Sequence, residues 1–133
     1  MKTFGFLLFA LFAVVIIGFY GCSSDDNTSV TTTTGGSGPS TPSNPSPSNN
    51  ATNVSPSFIT LDWTSTDPDP SDTVRFRVYL DRFNPPTNVF ASDITNSAVD
   101  IGSIQPGTYY WQVVASSDGD TTIGPVWKFS TSP

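Results

Sequence analysis

The sequence predicts an all-β fold, a two-layer sandwich of about seven strands, and three features carry that expectation. Short runs of strict apolar–polar alternation recur from Phe58 onward. Clusters of Asp, Ser, Pro, Asn and Gly separate these runs, and such residues supply turns. Beyond Tyr20 no segment shows a helical period, and good helix formers are scarce.

Each strand follows from its own pattern. Phe58-Ile59-Thr60-Leu61-Asp62-Trp63 puts Ile59, Leu61 and Trp63 on one face. Val74-Arg75-Phe76-Arg77-Val78-Tyr79-Leu80 turns Val74, Phe76, Val78 and Leu80 inward and both arginines outward. Weaker runs fall near Val89 to Ala91 and Ala98 to Ile101. Tyr109-Tyr110-Trp111-Gln112-Val113-Val114-Ala115 aligns Tyr109, Trp111, Val113 and Ala115. Val126-Trp127-Lys128-Phe129 aligns Trp127 and Phe129. One buried face per strand is the signature of an antiparallel sheet with one side in water.

Three regions precede or contain these strands: residues 1–21, 22–44 and 45–133. In the first, Lys2 is followed by an uncharged apolar run over residues 4–20. That is a signal-peptide layout. Its length lies at the short edge of a spanning helix, which needs roughly 17–25 apolar residues. Gly21 precedes Cys22, the only cysteine, and Ser23-Ser24-Asp25-Asp26 follows. This order resembles a bacterial lipoprotein signal, cut before a cysteine that is then acylated. Phe19 and Tyr20 depart from that pattern, which favours smaller residues upstream of the cysteine. Two fates stay open: cleavage at Cys22, or retention of the run as an anchor helix. The resemblance implies a membrane partner through a lipid anchor, at the bacterial outer membrane. The acidic tetrapeptide resembles an export tag and extends that expectation to the cell surface.

From residue 22 to residue 44 the chain is Thr, Ser, Gly, Pro, Asn and Asp, with Val30 the one apolar residue after Cys22. Such a segment buries too little to repay its ordering entropy, so it is expected to be a disordered tether. A flexible coil of this length spans about 25 Å.

Composition narrows the function. All eleven acidic residues are Asp, there is no His, and the net charge is −6. Nucleic-acid binding is excluded as an expectation, because phosphates demand a basic patch. Without His or a free thiol in the folded part, most catalytic triads and zinc sites are out of reach. The chain is therefore expected not to be an enzyme and to carry no cofactor, with structural calcium the one exception weighed below.

The strand sequences also resemble a known family. Ser55-Pro56, Leu61-Asp62-Trp63-Thr64, Asp67-Pro68-Asp69, Val78-Tyr79-Leu80, Pro106-Gly107-Thr108-Tyr109-Tyr110-Trp111-Gln112-Val113 and Gly124-Pro125-Val126-Trp127-Lys128-Phe129 look like a bacterial fibronectin type III-like domain. The resemblance spans nearly all of residues 45–133. It implies an immunoglobulin-like sandwich with Trp63 in the core. It also implies a tyrosine corner, with Tyr109 the candidate and Tyr110 its competitor.

Two candidate sites follow from the implied topology. The turns carrying Asp67, Asp69 and Asp72 and carrying Asp118 and Asp120 share one pole, without Lys or Arg. Carboxylates so placed form a candidate calcium site, since Ca²⁺ takes six to eight oxygens. The second candidate is a sheet face bearing Arg75, Arg77, Tyr79, Tyr110 and Gln112. Aromatic area beside hydrogen-bonding reach suits a protein or a glycan. The sequence thus points to a cell-surface, lipid-anchored, non-catalytic binding module. A structural subunit or stalk of a cell-envelope assembly is the alternative.

Overall fold

The computed structural model describes residues 37–133. The expected signal, Cys22 and the tether as far as residue 36 lie outside the described residues. The described chain forms eight strands: β1 (Ser43–Ser46), β2 (Ala51–Val54), β3 (Ile59–Thr64), β4 (Arg75–Asp81), β5 (Val89–Ile94), β6 (Ala98–Gly102), β7 (Gly107–Ser117) and β8 (Asp120–Thr131). One sheet has the order β1-β3-β6 and the other β2-β8-β7-β4-β5. The expected all-β sandwich is the fold observed.

Alternation does what the sequence predicts. In β3 it buries Ile59, Leu61 and Trp63 and exposes the residues between them. In β7 it buries every second residue from Tyr109 to Ser117. The two inner faces meet in one core, where Trp63, Phe76, Trp111, Trp127 and Phe129 supply most of the bulk. Trp63 meets Phe76 edge-on at 5.2 Å between centroids, and Trp111 meets Trp127 at 4.6 Å. Offset and edge contacts of this kind add to the burial of the rings.

The eighth strand arises because the N-terminal strand is divided between the sheets. β1 pairs antiparallel with β3, and β2 then pairs parallel with β8. Proline has no N–H for a ladder, so Pro45 and Pro47 suit an edge strand that changes partners.

The domain also begins earlier than its expected start at residue 45. Pro42 is among the fully buried side chains, and Pro39 is buried too. Ser40 N donates to Thr66 O at 2.8 Å, and Ser40 Oγ accepts from Thr66 N at 2.9 Å. Thr122 Oγ1 donates to Pro39 O at 2.7 Å. Gly124 leaves the room that Pro42 fills: a Cβ there would stand 3.1 Å from the Pro42 Cβ and 2.8 Å from Val113 O. The last residues of the expected tether are therefore packed into the sandwich. Polar composition hid this, because two buried prolines and the backbone around them do the packing.

At the opposite pole the tyrosine corner is Tyr109. Its hydroxyl donates to Gln105 O at 2.8 Å, and its ring stacks on Phe129. Tyr110 points to the outer face, half-buried. Arg82 completes the corner: Nη2 donates to the Tyr109 hydroxyl at 2.8 Å, and the guanidinium lies 4.9 Å from the ring centroid. A cation over an aromatic face is attracted by its quadrupole.

Candidate functional site

The outer face of the larger sheet is built by register. β4 and β7 pair residue for residue, so Arg75 lies opposite Ser116, Arg77 opposite Val114, Tyr79 opposite Gln112 and Asp81 opposite Tyr110. β8 extends these rows with Thr121 beside Ser116, Ile123 beside Val114 and Lys128 beside Tyr110. Tyr79 and Tyr110 are diagonal neighbours, a spacing of about 7–8 Å that a long side chain bridges.

The predicted face resolves into two parts. Near the pole where β4 starts, Arg75, Arg77, Ser92, Asp93, Val114 and Thr121 line much of an open groove of about 350 Å³. Tyr79 and Tyr110 lie further along the sheet and do not line it. Arg75 Nη1 donates to Asp93 Oδ1 at 2.8 Å, the one ion pair among the described residues. Both side chains are more than half exposed, so the pair adds little to stability. Arg77 is exposed and has no carboxylate partner among the described residues.

Gln112 is partly engaged by the fold. Its amide Nε2 donates to Gly124 O at 2.8 Å. The β7–β8 register shifts between Gln112 and Val114, where β8 carries Gly124 and Pro125. That bond fixes the side chain on the half-buried outer face, with Oε1 still open to a donor.

Ser92, Asp93 and Thr121 join the site without having been singled out in the sequence. Asp93 takes a left-handed backbone, φ 59°. Asp tolerates that conformation better than most residues, so an Asp in a weak edge strand was the one available signal.

At the acidic pole, two of the five carboxylates serve their own turn. Asp67 Oδ1 accepts from Asp69 N, and Asp69 Oδ1 accepts from Ser71 N and from Ser71 Oγ at 2.6 Å. Asp120 packs beneath Gly38, where an added Cβ would come within 2.7 Å of the Asp120 Cβ. Among the described residues no three Asp side chains converge as a cation would require. The set Asp67, Asp69, Asp72, Asp118 and Asp120 therefore shares a pole without sharing a point.

Proximity still shows electrostatically. Partial burial, and then the charges of Asp69, Asp118 and Asp67, push the Asp72 carboxyl above its usual range. Asp69 moves the other way, because Ser71 hydrogen-bonds its charged form. A raised carboxyl pKa means that the charged form is the disfavoured one in the fold. Its cost is absent below the ordinary pKa of 3.8 and grows as pH rises through the raised value. Asp72→Asn is therefore expected to raise Tm slightly at pH 7, less in 1 M salt, and not at pH 3. Melting curves at two salt concentrations and two pH values check this.

No family model matches the chain, and no curated protein matches it. Among solved structures it is similar to the solution structure of the fibronectin type-III domain of human fibronectin type III domain containing protein 3. The TM-score is 0.51 at 22% identity, covering 73% of this chain and 89% of that one. The fold of residues 37–133 is thus a fibronectin type III-like sandwich.

Proposed function

We propose that the protein is a lipid-anchored, non-catalytic binding module of the bacterial cell surface, held by Cys22 and recognising a protein or a glycan. One observation carries the reading: the outer face of β4, β7 and β8 gathers two of the four cations among the described residues in one groove, with two tyrosines beside it. In a chain of net charge −6 that is a concentrated positive feature. Of the other two cations, Arg82 sits in the tyrosine corner, and Lys128 lies on the same face outside the groove, beside Tyr110.

The envelope-assembly alternative relies on open sheet edges pairing with neighbours. The β5 edge supports it poorly. Its register against β4 shifts twice, and Asp93 adds a positive φ and a charge. Irregular, charged edges oppose strand pairing between molecules.

The test is capture by the full chain in detergent, screened against envelope glycans and secreted proteins. A Tyr79→Ala, Tyr110→Ala double variant is expected to lose most of the capture while its circular dichroism and Tm stay close to those of the parent. Unchanged capture by that variant moves the site off this face.

A further inference from the structure

We propose that the groove beside Arg77 takes a carboxylate-bearing sugar, and that Asp93 is an intramolecular competitor for the same site. This rests on the outer face being the binding surface, and it names the ligand class that face would select.

Charge comes first. Arg75 and Arg77 against Asp93 leave one net positive charge in the groove. Arg75 is already held by Asp93, whereas Arg77 has no carboxylate partner among the described residues. A guanidinium offers a planar fork of donors that matches a carboxylate in two-point contact. One uncommitted guanidinium balances one carboxylate, and a phosphate dianion would leave a charge unmatched in an acidic protein.

Shape and lining supply the second argument. At about 350 Å³ the groove falls within the roughly 300–1,000 Å³ of small-molecule clefts. Ser92, Ser116 and Thr121 present hydroxyls along it, and Val114 gives an apolar floor between the arginines and β8. Hydroxyls donate and accept in turn, which suits the ring hydroxyls of a sugar. The groove runs across the sheet face as far as the β5 edge, and the irregular register and positive φ of that edge leave no regular ladder for an extended peptide.

Asp93 gives the site its regulation. Its carboxylate is held on Arg75, the other cation of the groove, and so competes with a ligand carboxylate on Arg77 for the groove's positive charge. The pair is exposed and weak, so it opposes binding by like-charge repulsion without closing the groove. Removing the Asp93 charge should therefore tighten binding, while removing the Arg77 charge should weaken it.

Calorimetric titration of the full chain in detergent tests this with three probes: a neutral oligosaccharide carrying one galacturonate residue, its methyl ester, and a peptide carrying one aspartate. The acid sugar is expected to bind. Its neutral ester should bind at least roughly tenfold more weakly through loss of one charge-assisted contact, and the peptide by a similar factor through loss of the ring-hydroxyl hydrogen bonds. Arg77→Gln should weaken the acid sugar by a similar factor, and Asp93→Asn should strengthen it severalfold. Equal binding of acid and ester, equal binding of the peptide, or indifference to both substitutions overturns the inference. If the acid sugar fails while another ligand is lost in the double tyrosine variant, only the carboxylate assignment falls. If the acid sugar binds and neither the arginine nor the tyrosine changes matter, the outer face itself is the wrong surface.

Discussion

Trp111→Ala is expected to cost about 3–5 kcal/mol, which leaves a domain of this size barely folded or unfolded at 37 °C. Trp111 has no exposed surface and stands where both sheets meet, edge-on to Trp63 and tilted against Trp127. Truncation to alanine empties the middle of the aromatic core, and neighbours as large as Trp63 and Trp127 cannot collapse into the space without leaving their own rotamers. The indole Nε1 has no hydrogen-bond partner among the described residues. Trp111→Phe therefore sacrifices volume without orphaning a polar group, and should lose markedly less than alanine does. Urea denaturation of the two variants checks the ranking. If both lose equally, the indole N–H matters more than the volume.

That ranking follows from what was readable in the chain. Every core aromatic outside the signal lay in a run of strict alternation, and alternation reports burial directly. Ile59, Leu61 and Trp63, or Tyr109, Trp111 and Val113, identify a face without any knowledge of their partners. Tyr109 was chosen over Tyr110 by the same parity, and its bond to Gln105 bears the choice out. Parity also placed Arg75, Arg77, Tyr79 and Tyr110 on the outside. What parity does not carry is the state of a polar side chain once outside. Gln112 is bonded to Gly124, and Arg75 is held by Asp93, because of a register shift and a positive φ that leave no periodic trace. The acidic pole is a related case. Sharing a pole is a matter of topology, whereas meeting at one point depends on which backbone amide each Asp caps. Least legible in the chain is the N-terminal edge, where β1 and β2 carry Ser, Asn, Pro, Ala, Thr and Val with little apolar alternation.

Because that edge was invisible to patterning, deleting it is the sharpest test of the fold. A protein beginning at residue 45 is expected to be less stable than one beginning at residue 37 by about 3–5 kcal/mol. The deletion removes Pro42, one of the fully buried side chains, from its place against Gly124. It removes Ser43 and Asn44 from β1, and with them the Ser43 end of the pairing to β3. The hydrogen bonds from Ser40 N to Thr66 O, from Thr66 N to Ser40 Oγ, from Ser65 Oγ to Ser40 O and from Thr122 Oγ1 to Pro39 O go as well. Each is worth about 0.5–1.5 kcal/mol where water cannot fully replace it, and the buried proline adds a similar amount again. The loss should fall on the pole where β3 ends and β8 begins, so the amide of Thr66, which bonds Ser40 Oγ, should exchange faster before the rest of the sandwich does. Urea midpoints and hydrogen exchange of the two lengths measure it. Identical midpoints would mean that residues 37–44 only rest on the surface. A clear gap would mean that the sandwich starts inside what composition marks as tether, and that the free length between Cys22 and the folded domain is shorter than the residue count to Pro45 implies.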